Sequence, residues 1–295
     1  MLHRGLLPRL TPLLIFAGLT SVAAQSNDPR GDMELQTREV VDQAKKAYND
    51  GNTAFRARDY PKAAASYQAA TEHNPEYANA FFGLGLTFRK MRRSSDALSA
   101  LDKAIELKPE HSKALATRAS VRMDQKDYKG AVADYTAATE VRPNDYKTFF
   151  KLALAQDRAK NTAGAISAYQ QAVKLNPKYA KAHKNLGLLQ EKAGNTDGAI
   201  RAFKNACESG SDSSSCTKWA ENLAKARRYE QAEKAVQTAL KRKPGDAYSL
   251  VTYGEILEGL HNYDYALQQY EKAKGDATWG PTATYKIEAL KKKRG

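Results

Sequence analysis

The residues best suited to catalysis or metal binding are few and widely separated in this sequence. Its five histidines are His3, His73, His111, His183 and His261. No two of them form the HExxH pair of a zinc hydrolase. The only cysteines, Cys207 and Cys216, are too few for a four-cysteine zinc site or a disulfide-rich miniprotein. The chain also lacks a glycine-rich phosphate loop and a GxSxG nucleophile motif. We therefore predict no enzymatic activity, no metal site and no cofactor.

Basic residues outnumber acidic ones. The 295-residue chain has 47 Lys and Arg against 33 Asp and Glu, a formal charge of +14. Only Arg4 and Arg9 fall within the first 24 residues, so +12 belongs to the rest of the chain. With 42% hydrophobic residues the chain can also bury a core. The surplus predicts an anionic partner, such as nucleic acid, an acidic surface or an acidic protein segment.

The N-terminus has the pattern of a secretory signal peptide over residues 1–24. Arg4 and Arg9 precede the uncharged run LTPLLIFAGLTSVAA, which ends in small residues suited to cleavage. A membrane anchor is the alternative, but the run is shorter than the roughly 20 residues of a spanning helix. We predict an exported protein, periplasmic or secreted/lumenal, with no transmembrane segment after signal removal. Residues 25–33 are predicted to be a flexible N-terminal segment, with the first helix beginning near Met33.

The rest of the chain repeats with a period of 34 residues, as the spacing of Pro75, Pro109, Pro143 and Pro177 shows. With each proline at position 32 of a unit, small residues recur at positions 8, 20 and 27 and a large residue at position 24. Position 8 is Gly51, Gly85, Ala119, Ala153, Gly187, Ala220 and Gly254; position 20 is Ala63, Ala97, Ala131, Ala165, Ala199, Ala232 and Ala266; position 27 is Ala70, Ala104, Ala138, Ala172, Ala206, Ala239 and Ala273; position 24 is Tyr67, Leu101, Tyr135, Tyr169, Phe203, Val236 and Tyr270.

This pattern predicts two packed helices, A and B, in every unit. Small residues at positions 8 and 20 allow the two helices to approach closely, and the large residue at position 24 fills the space between layers. Proline ends helix B because it has no N–H and restricts the residue before it. His73 and His111 are predicted in turns after helix B and His261 in a turn between helices, all at the surface.

These residues resemble the tetratricopeptide repeat family. The resemblance implies an all-α, right-handed α-solenoid of helix-turn-helix units that bury their apolar faces by stacking. The array is predicted to span residues 34–280, with units near 44–77, 78–111, 112–145, 146–179, 180–212, 213–246 and 247–280. Residues 281–295 are predicted to form a capping helix and a basic tail, with Tyr285, Ile287 and Leu290 facing inward.

Cys207 and Cys216 flank the serine-rich stretch ESGSDSSS, where a proline would normally close the fifth unit. The stretch resembles the cysteine-bridged Sel1-like relatives of the repeat, although their spacing is usually one residue shorter. The resemblance implies a disulfide that joins the fifth and sixth units, which export would permit. Two buried thiols or a redox-active pair are the alternatives.

The resemblance also implies a concave peptide-binding face built by helix A positions 2, 5, 9, 12 and 13. In the first five units these positions hold ten basic and three acidic residues; in the last two they hold Lys225 against Glu221, Glu255 and Glu258. A carboxylate clamp known in one subfamily is matched only by Asn52 and Lys113. The candidate groove residues are Tyr48, Asn52, Phe55, Phe82, Leu86, Arg89, Lys113, Lys147, Phe150, Leu154, Arg158, Lys181 and Lys184.

From these observations we predict a non-enzymatic scaffold or adaptor for protein–protein interaction. Its groove is expected to bind acidic or extended segments of a partner protein during assembly of an envelope or secretory-compartment complex. The alternative is a binder of anionic polymers or surfaces, such as nucleic acid, acidic glycan or anionic lipid. Export argues against nucleic acid.

Overall fold

A computed structural model describes residues 29–210 and 212–294 of the chain. Within these ranges the backbone forms fifteen helices, seven antiparallel pairs and a final single helix. The helices are α1 (Pro29–Arg56), α2 (Tyr60–His73), α3 (Ala78–Lys90), α4 (Ser94–Leu107), α5 (Ser112–Asp124), α6 (Tyr128–Val141), α7 (Tyr146–Arg158), α8 (Thr162–Leu175), α9 (Ala180–Lys192), α10 (Thr196–Ser209), α11 (Ser213–Lys225), α12 (Tyr229–Arg242), α13 (Ala247–Gly259), α14 (Tyr263–Ala273) and α15 (Gly280–Arg294). The odd-numbered helices α1 to α13 are the A helices of seven units, and the even-numbered helices are their B helices. The predicted all-α solenoid is confirmed.

The alanines that recur along the B helices form the core of the array. All seven alanines at position 20 are 0% exposed, and the seven at position 27 are at most 1% exposed. The large residues at position 24 are at most 3% exposed. Because a methyl side chain leaves room for the neighbouring helix, these alanines allow each B helix to pack against helices on both sides. The predicted division into small and large core positions is confirmed.

Position 8 is small because the ring or branched side chain at position 24 lies directly over it. A Cβ atom on Gly254 would lie 2.3 Å from Cε1 of Tyr270. The Tyr270 ring is 0% exposed, and its hydroxyl donates a hydrogen bond of 2.5 Å to Glu258. The ring is therefore held in place and leaves no room for a methyl group.

We expect Gly254→Ala to lower the free energy of unfolding by about 1–2 kcal/mol. Alanine adds about 1 kcal/mol of helix propensity, but the clash with Tyr270 costs more. Gly245→Ala, in the turn before α13, is the control for adding a methyl group, because no atom beyond its chain neighbours lies within 4 Å of its Cβ position. Urea unfolding of both variants measures the difference, and wild-type stability of Gly254→Ala would contradict the close packing.

The turn inside each unit closes through one residue with positive φ. Six of these seven residues are not glycine: Arg58, Arg92, Lys126, Lys160, Arg227 and His261, with Gly194 in the fifth unit. His261 is exposed in this turn, as predicted. His73 is exposed as predicted, but it is the last residue of α2 rather than part of the turn after it. The prediction for His111 is wrong, because this side chain is 9% exposed and its Nδ1 accepts a hydrogen bond from the N–H of Ala114.

Both ends of the array differ in detail from the sequence prediction. Helix α1 begins at Pro29, so residues 29–33 are helical rather than flexible, while residues 1–28, including the predicted signal peptide, lie outside the described residues. At the other end α15 buries Ile287 and Leu290 against the last unit. Tyr285 does not face inward as predicted, because it lies on the outer side of α15 and is 69% exposed.

Candidate binding groove

A cleft of about 280 Å³ lies between the A helices of the second, third and fourth units. Five candidate groove residues line it: Phe82, Leu86, Arg89, Lys113 and Lys147. Its remaining wall includes Thr117 and Ser120 on α5. The cleft therefore combines an apolar patch on α3 with cations and hydrogen-bonding groups on α5 and α7. We call it the basic cleft.

The basic cleft is also lined by two cations that are not among the predicted groove residues. They are Lys151 on α7 and Arg142 just after α6. Lys151 lies one helical turn after Lys147, so the spacing of four residues along α7 would have indicated that the two share a face. Arg142 follows a B helix. It was not predicted because the family resemblance implies a binding face built from A helices alone.

Most cations of the basic cleft have no carboxylate partner among the described residues. Among the described residues, Lys113, Arg142, Lys147 and Lys151 form no ion pair, and Arg89 approaches Asp124 only at 3.4 Å. Asp145 also lines the cleft, but its carboxylate accepts the Lys147 N–H at 3.1 Å and the Thr148 hydroxyl at 2.9 Å.

The ionisation of Lys151 reflects this concentration of positive charge. Its pKa is lowered, first by desolvation and then by the charges of Arg89 and Lys147, while Asp145 opposes the change. An anion bound beside Lys151 would relieve this repulsion. The basic cleft is therefore an electrostatically favourable site for a carboxylate or another anionic group.

Several candidate groove residues support the packing of the repeats. The Phe150 ring lies 5.6 Å from that of Tyr169 and 5.1 Å from that of Tyr179. Tyr48 packs in the same way on Tyr67 and Tyr77, at 5.8 and 5.0 Å. Each ring thus bridges its own unit and the turn that leads to the next.

The remaining candidates are divided between partnered and exposed positions. Asn52 accepts a hydrogen bond from the Tyr67 hydroxyl at 2.9 Å. Lys184 donates to Asp212 at 2.7 Å and to Ser214 at 2.8 Å, so it connects α9 to the start of α11. The other four are Phe55, half-buried beside Tyr60, Leu154, half-buried in the core, and the exposed Arg158 and Lys181.

At the other end of the array, cations and carboxylates are paired on the A helices. Lys225 contacts Glu191 at 2.7 Å and Glu221 at 2.8 Å, and Lys218 contacts the same two carboxylates at 3.4 and 3.0 Å. Burial alone would raise the pKa of Glu221, but hydrogen bonds from Lys225, Tyr248 and Lys218 lower it to about 2. Lysines at this end are therefore paired with carboxylates, whereas most cations of the basic cleft are not. The difference arises from the side chains that the fold brings together as well as from the number of charges.

Cys207 and Cys216 are joined by a disulfide between α10 and α11, which confirms the predicted pairing. Arg242 on α12 contacts both ends of the bridge. Its guanidinium lies 3.0 Å from Sγ of Cys216 and donates to the carbonyl of Cys207 at 2.9 Å. The junction between the fifth and sixth units is therefore held by a covalent bond and by the next B helix.

The described residues contain neither a helix long and apolar enough to span a bilayer nor a group of three side chains arranged to bind a metal ion.

Comparison with known proteins gives the family and the fold. A family described as Tetratricopeptide repeat matches residues 48–111, 83–146, 150–214 and 217–280. No curated protein sequence matches the chain.

Similar solved structures include MamA from Desulfovibrio magneticus RS-1, with 24% identity and a TM-score of 0.53 over 57% of this chain and 94% of that one. A tetratricopeptide repeat protein from Parabacteroides merdae covers more of the chain, 84% of this one and 99% of its own, with 17% identity and a TM-score of 0.53. At these identities the likeness concerns the fold alone.

Proposed function

The chain belongs to the tetratricopeptide repeat family, and from that premise we propose that it is a non-enzymatic scaffold whose concave face binds an acidic, extended segment of a partner protein. Members of the family are generally scaffolds for protein–protein interaction. The observation that carries the proposal is that four cations of the basic cleft, Lys113, Arg142, Lys147 and Lys151, form no ion pair among the described residues. These cations attract acidic side chains, and Phe82 and Leu86 offer apolar contacts beside them.

The proposed place of action is outside the cytoplasm, in the assembly of an envelope or secretory-compartment complex. Two features support it. The sequence of residues 1–24 has the pattern of a signal peptide. The disulfide between Cys207 and Cys216 is a bond that persists in oxidising compartments.

We expect Lys147→Glu/Lys151→Glu to weaken binding of an acidic peptide by about tenfold or more, which corresponds to at least about 1.4 kcal/mol. The double variant replaces attraction by repulsion inside the cleft. The probe is a fluorescein-labelled peptide of alternating glutamate and leucine, with binding measured by fluorescence anisotropy at about 0.1 M salt.

Lys129→Glu/Lys174→Glu is the matched control, because it makes the same change in net charge at exposed positions of the B helices α6 and α8. The proposal predicts that the control binds like the wild type. An equal loss in both variants would support nonspecific attraction of anionic polymers instead, and heparin would then bind with the same dependence on salt. Unchanged binding in both variants would exclude the basic cleft as the site.

A further inference from the structure

A second cavity, of about 270 Å³, lies between the A helices of the last two units and the capping helix. Glu221 comes from α11, Tyr248 and Glu255 from α13, and Trp279 from the residue before α15. We call it the aromatic cavity. It occupies A-helix positions, as the basic cleft does, but its lining has two carboxylates and two aromatic rings, and its one lysine, Lys225, is paired with Glu191 and Glu221.

The aromatic cavity has a stacked wall. The rings of Tyr248 and Trp279 lie 4.8 Å apart with an angle of 25° between their planes. The face of a tryptophan ring attracts cations, and a planar guanidinium can lie flat against it.

Glu255 provides an acceptor at the rim of the same cavity. Its side chain is 43% exposed, and Lys286 contacts its Oε1 at 2.8 Å. Among the described residues no donor is paired with the other oxygen, Oε2. Glu221 differs, because Lys218, Lys225 and Tyr248 occupy both of its oxygens. Glu255 is therefore the carboxylate that can accept a donor from a ligand.

Three carboxylates act on Tyr248, and each of them is in contact with a lysine. The pKa of Tyr248 is raised by burial first, and then by its hydrogen bond to Glu221 and by the charges of Glu221, Glu191 and Glu255. A cation brought to this place is stabilised by the same charges.

We propose that the aromatic cavity receives an arginine side chain of the same partner segment whose acidic residues occupy the basic cleft. The guanidinium would stack beside Trp279 and donate to the free oxygen of Glu255. This inference rests on the proposed function and specifies its ligand: a segment with acidic residues at one end and an arginine at the other.

The spacing of the two sites sets the spacing within the ligand. The basic cleft centres on α5 and the aromatic cavity on α13, which is four A helices further along the array. With successive A helices taken at the spacing of packed helices, about 8–10 Å, four steps separate the two sites by roughly 32–40 Å. An extended chain spans about 3.3 Å per residue, which places the arginine about 10–12 residues from the acidic group.

The test compares three synthetic peptides in the anisotropy assay. Each has a block of four glutamates; the first carries an arginine about 11 residues away, the second norleucine at that position, and the third an arginine only four residues away. We expect the first peptide to bind about tenfold more tightly than the other two. Equal binding of the first and second peptides, or of the first and third, would overturn the inference.

Variants then assign the effect of arginine to the cavity. Glu255→Gln and Trp279→Leu are each expected to remove most of the advantage of the first peptide and to leave the norleucine peptide unaffected. Glu271→Gln is the matched control, on α14 with a side chain 48% exposed. An advantage of arginine that survives in both cavity variants would exclude the aromatic cavity.

Tryptophan fluorescence gives an independent measurement. The chain has two tryptophans, Trp219 and Trp279, so the Trp219→Phe variant reports on the cavity alone. The arginine peptide is expected to change this emission and the norleucine peptide is not. Failure of the norleucine peptide to bind the basic cleft would refute the proposed function, and the two-site ligand with it; binding without an arginine effect refutes only the present inference.

Discussion

Replacing Asp134 with asparagine is expected to lower the free energy of unfolding by about 3 kcal/mol. The Asp134 side chain on α6 is 4% exposed and accepts from both Arg118 and Arg122 of α5. Arg118 binds it with two hydrogen bonds, of 2.6 and 3.0 Å, and Arg122 adds a third of 2.8 Å. The amide of asparagine would leave these largely buried guanidinium groups without their carboxylate, and one of its own donors would face them.

Arg118 shows how much this carboxylate contributes. Burial alone would lower the pKa of Arg118, but hydrogen bonds to Asp134 and Asp102 outweigh it and raise the pKa. Removing one of these carboxylates therefore leaves a charged guanidinium with less compensation for its burial.

Asp102→Asn is the matched control for Asp134→Asn. Asp102 on α4 contacts the same Arg118, at 2.7 Å, but its side chain is 57% exposed. Ion pairs of this kind contribute at most about 1 kcal/mol. Urea unfolding of the two variants compares the same chemical change at a buried and at an exposed position. Equal losses would show that the position of Asp134 in the core does not matter.

The sequence was sufficient to predict the core because the repeat constrains it seven times. An alanine such as Ala63 is required at position 20 by the distance between two helices, and that distance is the same in every unit. Periodicity therefore determines burial there. Tyr285 lies after the last repeat, where no period applies, and its direction on α15 depends on how the capping helix rotates against the last unit.

Side-chain partners of the groove were harder to predict than its backbone. Lys184 and Lys147 are both lysines on A helices. Lys184 pairs with Asp212, which is 28 residues further along the chain, whereas Lys147 pairs with no carboxylate of the described residues. Whether a cation is free depends on carboxylates brought near by tertiary structure. Counting charges on a face cannot distinguish the two situations.

The aromatic cavity also depends on tertiary contacts that the sequence does not show. Trp279 lies in the turn between α14 and α15, outside the A-helix positions on which the groove prediction was based. Its stacking on Tyr248 depends on the turn that leads into α15. The negative charge of the last two units was visible in the sequence, but the ring that completes the cavity was not.

Removing the disulfide with Cys207→Ala/Cys216→Ala is expected to destabilise the protein by about 3 kcal/mol, the effect of freeing a loop of about ten residues in the unfolded chain. Both cysteines are at most 1% exposed, and alanine fits the space without burying a polar group. Urea unfolding measures the loss. Reductant should destabilise the wild type to a similar extent and leave the variant unchanged; a variant as stable as the oxidised wild type would contradict the prediction.

The loss should also divide the array, because each repeat is coupled only to its neighbours. The sixth and seventh units and α15 hold both tryptophans, so tryptophan fluorescence reports on this part, whereas helical circular dichroism reports on the whole chain. The two signals should coincide in the oxidised wild type and separate in the variant.

The basic cleft and the aromatic cavity lie on opposite sides of the disulfide. The variant should therefore bind the norleucine peptide like the wild type and lose part of the advantage of the arginine peptide, because a less rigid junction no longer fixes the distance between the two sites.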